Sequence, residues 1–374
     1  MIAVGCGRVH VLGWRDLDDD DAGGSEVHAD NFMSRWAAAG LEITHRTSYA
    51  KGLPVSAQRN GYRVVRRGSR YSVFPRAVVS ELRLHRQYDA LVELWNGVPW
   101  LSPLWCRKPR VTFLHHVHGP MWDQMLPKPF AFVGRTVEAH LAPPFYRRTM
   151  TLTPSEATRA ELLQLGFRPD RVIAINNGVD AGFQPGEQKA PLPTVVSVGR
   201  LAPVKRQDHL IGEALIAKRR VPELQLVIVG DGPLRPELET LIARHHAHDW
   251  ITLTGKLSPH DLVALYQRSW LVVSASLAEG WGLTLTEAAG CGTPAVATDI
   301  NGHRSSVIDG TTGVLVPLEQ LGETIADVLL DAPRRQALAE AALARARTLT
   351  WEASARGVLQ ALHSEVMAKS RRTG

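Results

Sequence analysis

Cysteine is scarce in this chain. Cys6, Cys106 and Cys291 are its three cysteines; they lie far apart and never take CxxC spacing. That argues against a disulfide framework and a cysteine zinc site, and it fits a reducing, intracellular compartment. Long apolar runs are missing as well: nothing approaches the ~18–20 residues that a membrane-spanning helix needs. The opening stretch MIAVGCGRVHVLGW has no basic residues ahead of its apolar part, so it reads as a buried strand rather than a signal peptide. Common nucleotide motifs are also absent. No GxxxxGK followed by Ser or Thr occurs, and Gly5 and Gly7 beside the first strand lack the third glycine of GxGxxG. There is no low-complexity segment and no repeat of about 20–50 residues.

What remains is an ordinary globular composition, 44% hydrophobic and 21% charged. At ~150 residues per domain, a chain of 374 residues suggests two. Short β-branched runs alternate with amphipathic stretches, the pattern of parallel βαβ units. In the first half VHVLGW, LEITHRTS, ALVELW, RVTFLHH, MTLTPS and RVIAINNGVD read as strands. SEVHADNFMSRWAAAG reads as a helix with Val27, Phe32 and Trp36 at helical spacing and Gly40 at its end; EATRAELLQLG is closed by Gly166. Gly and Pro crowd residues 181–193, AGFQPGEQKAPLP, and mark a linker. A second series follows, with strands TVVSVGR, LQLVIVGDG, ITLTGK, WLVVSAS, TPAVATD and GVLVP. HLIGEALIAK and LRPELETLIARHH are helices among them, and TWEASARGVLQALHSEVMAK is a final helix. The expected fold class is α/β, two doubly wound Rossmann-like domains facing across a cleft, residues 1–182 and 183–354. Ligands in such folds sit at the carboxyl ends of the strands.

The net charge of +6 is unevenly spread. Eight arginines fall between Arg59 and Arg86 against one acid, Glu81, with Tyr62, Tyr71, Val73 and Phe74 among them. The stretch reads either as a solvated arginine-rich face or as a patch for phosphate or an anionic membrane. Asp18 to Asp21 are consecutive and cannot all point at one ion, so they read as a solvated turn rather than a metal site.

Chemistry gathers where strands end. In 278-AEGWGLTLTEAAGCGTP-294 two acids, Glu279 and Glu287, stand near a Gly-rich turn. On one continuous helix they would lie ~80° apart and ~12 Å along the axis, too far for a retaining glycosidase pair at ~5–5.5 Å. Gly280 and Gly282 flank Trp281, which predicts a turn and then a helix from about Leu283 through Glu287 to Ala289. The free N–H groups of that first turn favour an anion such as a diphosphate. Glu279 and Glu287 are then acceptors for vicinal sugar hydroxyls. The plainer reading is a helix-dipole acid and an unrelated loop acid. In 197-SVGRLAPVKRQDHLI-211, Arg200 and Lys205 follow the strand that ends at Gly199, and two such cations suit a departing pyrophosphate. The turn IVGDGP reads as structural. Gly23 and Gly24 precede a helix, where bare backbone approaches a ligand closely. His115, His116 and His118 of FLHHVHGPMW follow another strand without a third zinc ligand nearby. They read as structural, or as neutral imidazoles donating to a sugar hydroxyl.

In this order these stretches resemble glycosyltransferase family 4, the retaining nucleotide-sugar transferases of GT-B fold. The resemblance spans almost the whole chain. Its most specific part is the Glu279–Glu287 spacing with GRxxxxK upstream, while the first-domain loops match more loosely. It implies that Arg200 and Lys205, beside Gly199, hold the donor diphosphate. Backbone N–H groups around Gly280, Trp281, Gly282, Leu283 and Thr284 help them, and Gly23 and Gly24 border the diphosphate from the first domain. Glu279 takes donor-sugar hydroxyls and Glu287 the ribose, and Gly255, Lys256 and Leu257 line the base. A strand-end histidine contacts the donor sugar: His115 fits the strand register and His118 the His-Gly pattern. The implied reaction moves a hexose from GDP-mannose or a UDP-hexose to an acceptor hydroxyl, by front-face attack within an ion pair. It needs no metal and no other cofactor. The resemblance also implies that the terminal helix, about 355–374, packs back on the first domain.

Other classes fit less well. A phosphorylase-like enzyme would need a lysine for pyridoxal phosphate, and no motif marks one. A nucleotide-sugar epimerase on the same fold and a non-catalytic sugar-nucleotide-binding subunit are the alternatives, though Arg200, Lys205, Glu279 and Glu287 all stand intact. Nucleic acid is not an expected partner, because only the arginine patch would support it. The expected setting is cytoplasmic, with peripheral contact at the inner face of the membrane through Arg59–Arg86.

Overall fold

The computed structural model describes residues 6–20 and 22–373. Met1–Gly5, Asp21 and Gly374 lie outside the described residues, and with them the start of the N-terminal strand reading, Gly5 of the incomplete glycine motif and one of the turn aspartates. The chain divides into two compact units, Met1–Gly178 with Trp351–Gly374, and Val179–Thr350. It passes between them just ahead of the positions 182/183 and 354/355 read from the sequence.

The first unit is built on eight strands: β1 (Arg8–Leu12), β2 (Glu42–Thr47), β3 (Ser56–Arg59), β4 (Tyr62–Arg66), β5 (Ala90–Trp95), β6 (Arg110–Leu114), β7 (Met150–Thr153) and β8 (Val172–Ala174). They lie in the order β3-β4-β2-β1-β5-β6-β7-β8. Neighbours run parallel except β3 and β4. β5 and β7 are buried along their whole length, so neither alternates: β7 is an apolar and Thr run, and β5 is apolar but for Glu93, whose buried carboxylate accepts from the Trp100 N–H at 3.0 Å. The sequence reading missed the β3–β4 hairpin. Its turn is Asn60-Gly61, with φ of 43° and 86°, the pair of positive values that a type I′ turn requires.

The helix Trp351–Thr373 belongs to this first unit, and the part that does so begins at Trp351 rather than at about 355. Trp36 Nε1 donates to the Ala355 carbonyl at 2.9 Å, and Arg35 meets Glu352 at 2.9 Å. Val358 and Leu362 enter the same apolar cluster as Val9, Phe32 and Phe113. Each such side chain removed from water contributes ~1.5–3 kcal/mol before entropy is counted.

The hairpin overturns the reading of Arg59–Arg86 as one exposed face. Arg66 is 1% exposed. Its guanidinium donates to Asp16 Oδ1 at 3.1 Å, Asp18 Oδ2 at 2.8 Å and the Pro54 carbonyl at 3.0 Å. Arg59 also pairs with Asp18. The acidic turn is therefore a clamp for two arginines, since a cation leaves water only with carboxylates on its donors. Tyr62 and Val73 are buried, as is Glu81, which pairs with Arg46 and His10. Arg63, Arg67, Arg70, Arg76, Arg83 and Arg86 remain exposed.

The second unit has six strands: β9 (Thr194–Val198), β10 (Gln225–Val229), β11 (Ile251–Gly255), β12 (Leu271–Ser274), β13 (Ala295–Thr298) and β14 (Gly313–Val316). All neighbours are parallel, in the order β11-β10-β9-β12-β13-β14. The winding direction reverses between β9 and β12, the place where doubly wound sheets open a crevice for ligands. Ile211, Ile228, Val273 and Val328 sit in one buried cluster between sheet and helices. Pro259–Arg268, Leu321–Leu330 and Ala332–Ala346 are helices that the sequence reading did not mark.

Candidate active site

At the reversal of the second sheet, the segments after β9 and β12 come together. Gly199 N donates to the Val229 carbonyl at 3.0 Å and Leu201 N to the Asp231 carbonyl at 2.9 Å, so the IVGDGP turn holds the Arg200 segment in place. The two glycines of that turn are there for close approach. A Cβ at Gly230 would stand 2.0 Å from the Gly199 carbonyl oxygen, and one at Gly232 2.4 Å from that of Leu201. Arg200 is exposed at the rim, and Gln207 Nε2 donates to its carbonyl at 3.1 Å. Lys205 lies over the bare backbone of Gly199, its Cε 3.6 Å from where a Cβ would stand.

Lys205 Nζ pairs with Glu279 Oε1. Ser276 Oγ donates to the same oxygen at 2.8 Å. Burial opposes ionisation of Glu279, yet Lys205, together with the nearby His303 and the Ser276 hydroxyl, holds its carboxyl below the usual range. The backbone of Glu279 is fixed from behind. A Cβ at Gly302 would lie 2.3 Å from its carbonyl oxygen, so only glycine lets the Asn301–Ser306 helix seat there. His303, 0% exposed, donates through Nδ1–H to the Thr298 carbonyl at 2.7 Å.

The glycine-rich turn then starts the helix Leu283–Gly290 from Gly282 at φ 93°. The sequence placed that start correctly, because a strand end, two glycines and an apolar run leave little choice. By helix geometry the N–H groups of Leu283 and Thr284 have no acceptor inside the helix. Trp281 is 3% exposed, so its backbone rather than its side chain is what a ligand at the turn would meet. Glu287 points elsewhere, toward Tyr266, whose hydroxyl donates to Oε2 at 3.3 Å. Burial, with some repulsion from Asp180, pushes the Glu287 carboxyl up to about 7 despite that hydrogen bond. Gly255 ends β11 at φ 75° and accepts from Gly230 N at 2.9 Å. Lys256 beyond it is exposed, and Leu257 packs partly against the core.

In the first unit, the histidines after β6 separate into different environments. His115 is 6% exposed, with Nε2 3.3 Å from Nδ1 of the fully buried His28. Burial lowers His28 to about 3, and burial plus the neighbouring His28 and His116 lowers His115 well below its ordinary value. Both are neutral imidazoles at neutral pH. His118 is locked into a knot around Glu138. The N–H groups of His118 and Gly119 donate to the two Glu138 oxygens at 2.9 Å each, Trp122 Nε1 donates at 3.1 Å, and the His118 ring stacks on Trp122. Gly23 and Gly24 open the helix Gly24–Ala38, whose N-terminus already carries an anion: Glu26 accepts from Gly23 N at 2.8 Å and Ser25 Oγ at 2.9 Å. Asn96, just after β5, donates to Ser25 Oγ at 3.1 Å, which ties this start to the reversal between β1 and β5.

Glu138, His28, Glu26 and His303 were not singled out in the sequence. The one signal available was Glu26 three residues after Gly23, the spacing of a capping box.

A family profile described as Glycosyl transferases group 1 matches residues 182–345, and one described as Glycosyltransferase Family 4 matches residues 22–183. The chain belongs to glycosyltransferase family 4. A D-inositol 3-phosphate glycosyltransferase of Kribbella flavida is 34% identical to this family member over 246 residues, covering 59% of the chain and 58% of the relative. The alpha-D-kanosaminyltransferase of Streptomyces kanamyceticus is 36% identical over 151 residues, 40% of the chain and 39% of the relative. The chain thus spans about half the length of these two curated relatives, or less. D-inositol 3-phosphate glycosyltransferase 2 of Catenulispora acidiphila matches more of it, 29% identical over 397 residues with 93% and 91% covered. Among solved structures, sucrose-phosphate synthase from Thermosynechococcus elongatus superposes with a TM-score of 0.80 at 20% identity, covering 97% of the chain and 99% of that structure. Anabaena Alr3699/HepE in complex with UDP-glucose superposes with a TM-score of 0.75 at 20% identity, covering 96% and 99%. These likenesses show that the family-4 chain has the GT-B fold.

Proposed function

We propose that this chain moves a hexose from a nucleoside diphosphate sugar to an acceptor hydroxyl, with retention at the transferred carbon. The observation that carries this reading is the Lys205–Glu279 pair at the β9/β12 reversal, beside the N-terminus of Leu283–Gly290. A diphosphate arriving there draws Lys205 from Glu279 and adds Arg200 and the helix N–H groups of Leu283 and Thr284. Glu279, released, accepts from donor-sugar hydroxyls, while Glu287 accepts from the ribose and Gly255–Leu257 line the base. His115 rather than His118 meets the donor sugar, because His118 is already committed to Glu138. As negative charge grows on the departing diphosphate, Lys205, Arg200 and the helix start stabilise it, and the acceptor attacks from the same face within the ion pair. No metal takes part in this scheme.

The acceptor we propose is a polyhydroxylated molecule that carries an anionic group. Its support is a cavity of about 530 Å³ in the first unit, at the carboxyl ends of β2 and β4, lined by Arg46, Arg67, Arg76 and Arg83. The relatives named for D-inositol 3-phosphate point to the same chemistry. The donor is a UDP-hexose or GDP-mannose, and the neighbour of the same fold that holds UDP-glucose puts UDP-hexoses first. Among the described residues no helix is long and apolar enough to cross a membrane. A cytoplasmic setting with contact at an anionic membrane through Arg63, Arg67 and Arg70 completes the proposal.

The test is a screen of UDP- and GDP-sugars, by thermal shift and by donor hydrolysis, run without and with EDTA. One donor class should stabilise the protein and turn over. Stabilisation without turnover would favour a binding subunit, and loss of all turnover on adding EDTA would overturn the metal-free scheme. Binding to anionic liposomes should weaken when Arg63, Arg67 and Arg70 become serine with Arg66 left in place; unchanged binding removes the membrane contact.

A further inference from the structure

A second basic cavity lies at the opposite end of the first sheet, and nothing in the transfer reaction uses it. It has a volume of about 700 Å³ and forms where the chain enters β6, β7 and β8, against the last turns of the Trp351–Thr373 helix. Seven cationic side chains line it against two carboxylates, Asp170 and Glu365. Both acids are engaged already, Asp170 with Arg168 at 3.0 Å and Glu365 with Arg171 at 2.7 Å. The rest of the positive charge comes from Arg107, Lys108, Arg110, Arg148 and Lys369.

Like charges at this density repel one another unless an anion stands among them. Two signs of the strain are visible. Burial, with Lys108 and Arg110 adding to it, lowers Lys369 from the usual lysine range. Arg110 Nε and Arg171 Nε are buried without an acceptor among the described residues, although each guanidinium donates elsewhere, Arg110 Nη1 to the Cys106 carbonyl and Arg171 Nη2 to Glu365. The cavity is also separate from the strand-end chemistry of the same unit. Arg110 opens β6 and His115 follows its end, so about 16 Å of extended chain lies between them.

We propose that this cavity is a binding site for a small soluble molecule carrying two or more phosphate groups. One phosphate cannot meet cations from three strand starts and a helix; a chain of phosphates in a cavity of this volume can. The site is concave, so a flat bilayer does not reach its inner guanidinium groups. A bound polyphosphate links the starts of β6, β7 and β8 to the Trp351–Thr373 helix and stabilises the first unit by mass action.

The experiment uses the full chain and inorganic tripolyphosphate as probe, with affinity from calorimetry and stability from thermal melts. Tripolyphosphate should bind and raise Tm in the Lys205→Ala variant, in which donor-site binding is weakened. An Arg148→Ser, Lys369→Ser double variant on that background should bind about 100-fold more weakly, since each of the two lost charged hydrogen bonds costs roughly 10-fold. Arg148→Glu alone should give the same loss, and it keeps the test valid if the double variant folds poorly. Equal affinity in either variant would overturn the site. So would binding to phosphatidic acid vesicles with no binding of soluble tripolyphosphate.

Discussion

Glu287 offers the sharpest test of the donor grip, because its proton and its proposed ligand compete. Burial moves its carboxyl from an ordinary 4.5 to about 7. Between those two values the folded protein holds a proton that the unfolded chain has released. Stability therefore falls as pH rises from about 4.5 to about 7, and is level on either side. A shift of this size corresponds to roughly 3 kcal/mol at 1.36 kcal/mol per unit. Glu287→Gln keeps an acceptor for the Tyr266 hydroxyl and removes the charge. It should stabilise the protein by up to about 3 kcal/mol at pH 8 and by little at pH 5, read from urea unfolding at both values. The donor reading adds an opposite trend. If the ribose hydroxyls bind the carboxylate, donor affinity rises about 10-fold from pH 6 to pH 8, because the ionised fraction grows from about a tenth to nearly all. Calorimetry with a nucleoside diphosphate sugar, whose diphosphate does not titrate in this range, reads the slope directly. The slope should vanish in Glu287→Gln. A flat profile in the unaltered protein, or the same slope in the variant, would refute the ribose role, and equal stability differences at both pH values would refute the buried acid.

Other outcomes follow from the same geometry. Lys205→Ala and Arg200→Ala should each reduce kcat by about 10²–10³ while leaving the far-ultraviolet dichroism unchanged; near-normal turnover in either excludes its diphosphate role. Arg66→Ser strands Asp16 in the interior and should cost about 3–5 kcal/mol in urea unfolding, whereas the exposed Arg67→Ser should stay within about 0.5 kcal/mol. Equal costs would mean the hairpin clamp is misread. Gly302→Ala forces a methyl against the Glu279 carbonyl. It should cost about 1–3 kcal/mol and weaken donor binding as well, and unaffected binding would show that Glu279 needs no support from behind.

Legibility followed the range of the interactions. β9 to β14 were readable because each is a short apolar run bounded by Gly, Pro or charge, and the Leu283 helix start was readable from two glycines and a strand end. The Asn60-Gly61 turn was equally legible by turn chemistry, but the surrounding arginines read as a charge run and hid it. Arg66 shows why. Its partner Asp16 lies 50 residues earlier, and no local pattern marks an arginine as buried. His28 and His115 are 87 residues apart, and the Glu138 knot spans 20. Lys205 and Glu279 lie 74 apart and were each chosen for a bound diphosphate sugar, so their pairing with one another was not foreseen. Residues that answer to a distant partner are silent until the chain is folded.

The placement of Trp351–Thr373 in the first unit sets an order on biosynthesis. Ala355, Val358, Ala361, Leu362 and Val366 complete an apolar cluster whose other buried members, Cys6 to Leu152, were made at least two hundred residues earlier. A ribosome exposes β1 to β8 with part of their covering absent, while Val179–Thr350 is already whole when its last residue emerges. The later-made unit is therefore the first that is able to finish folding. The earlier one waits with open apolar surface, the state in which chaperone capture and aggregation compete with folding.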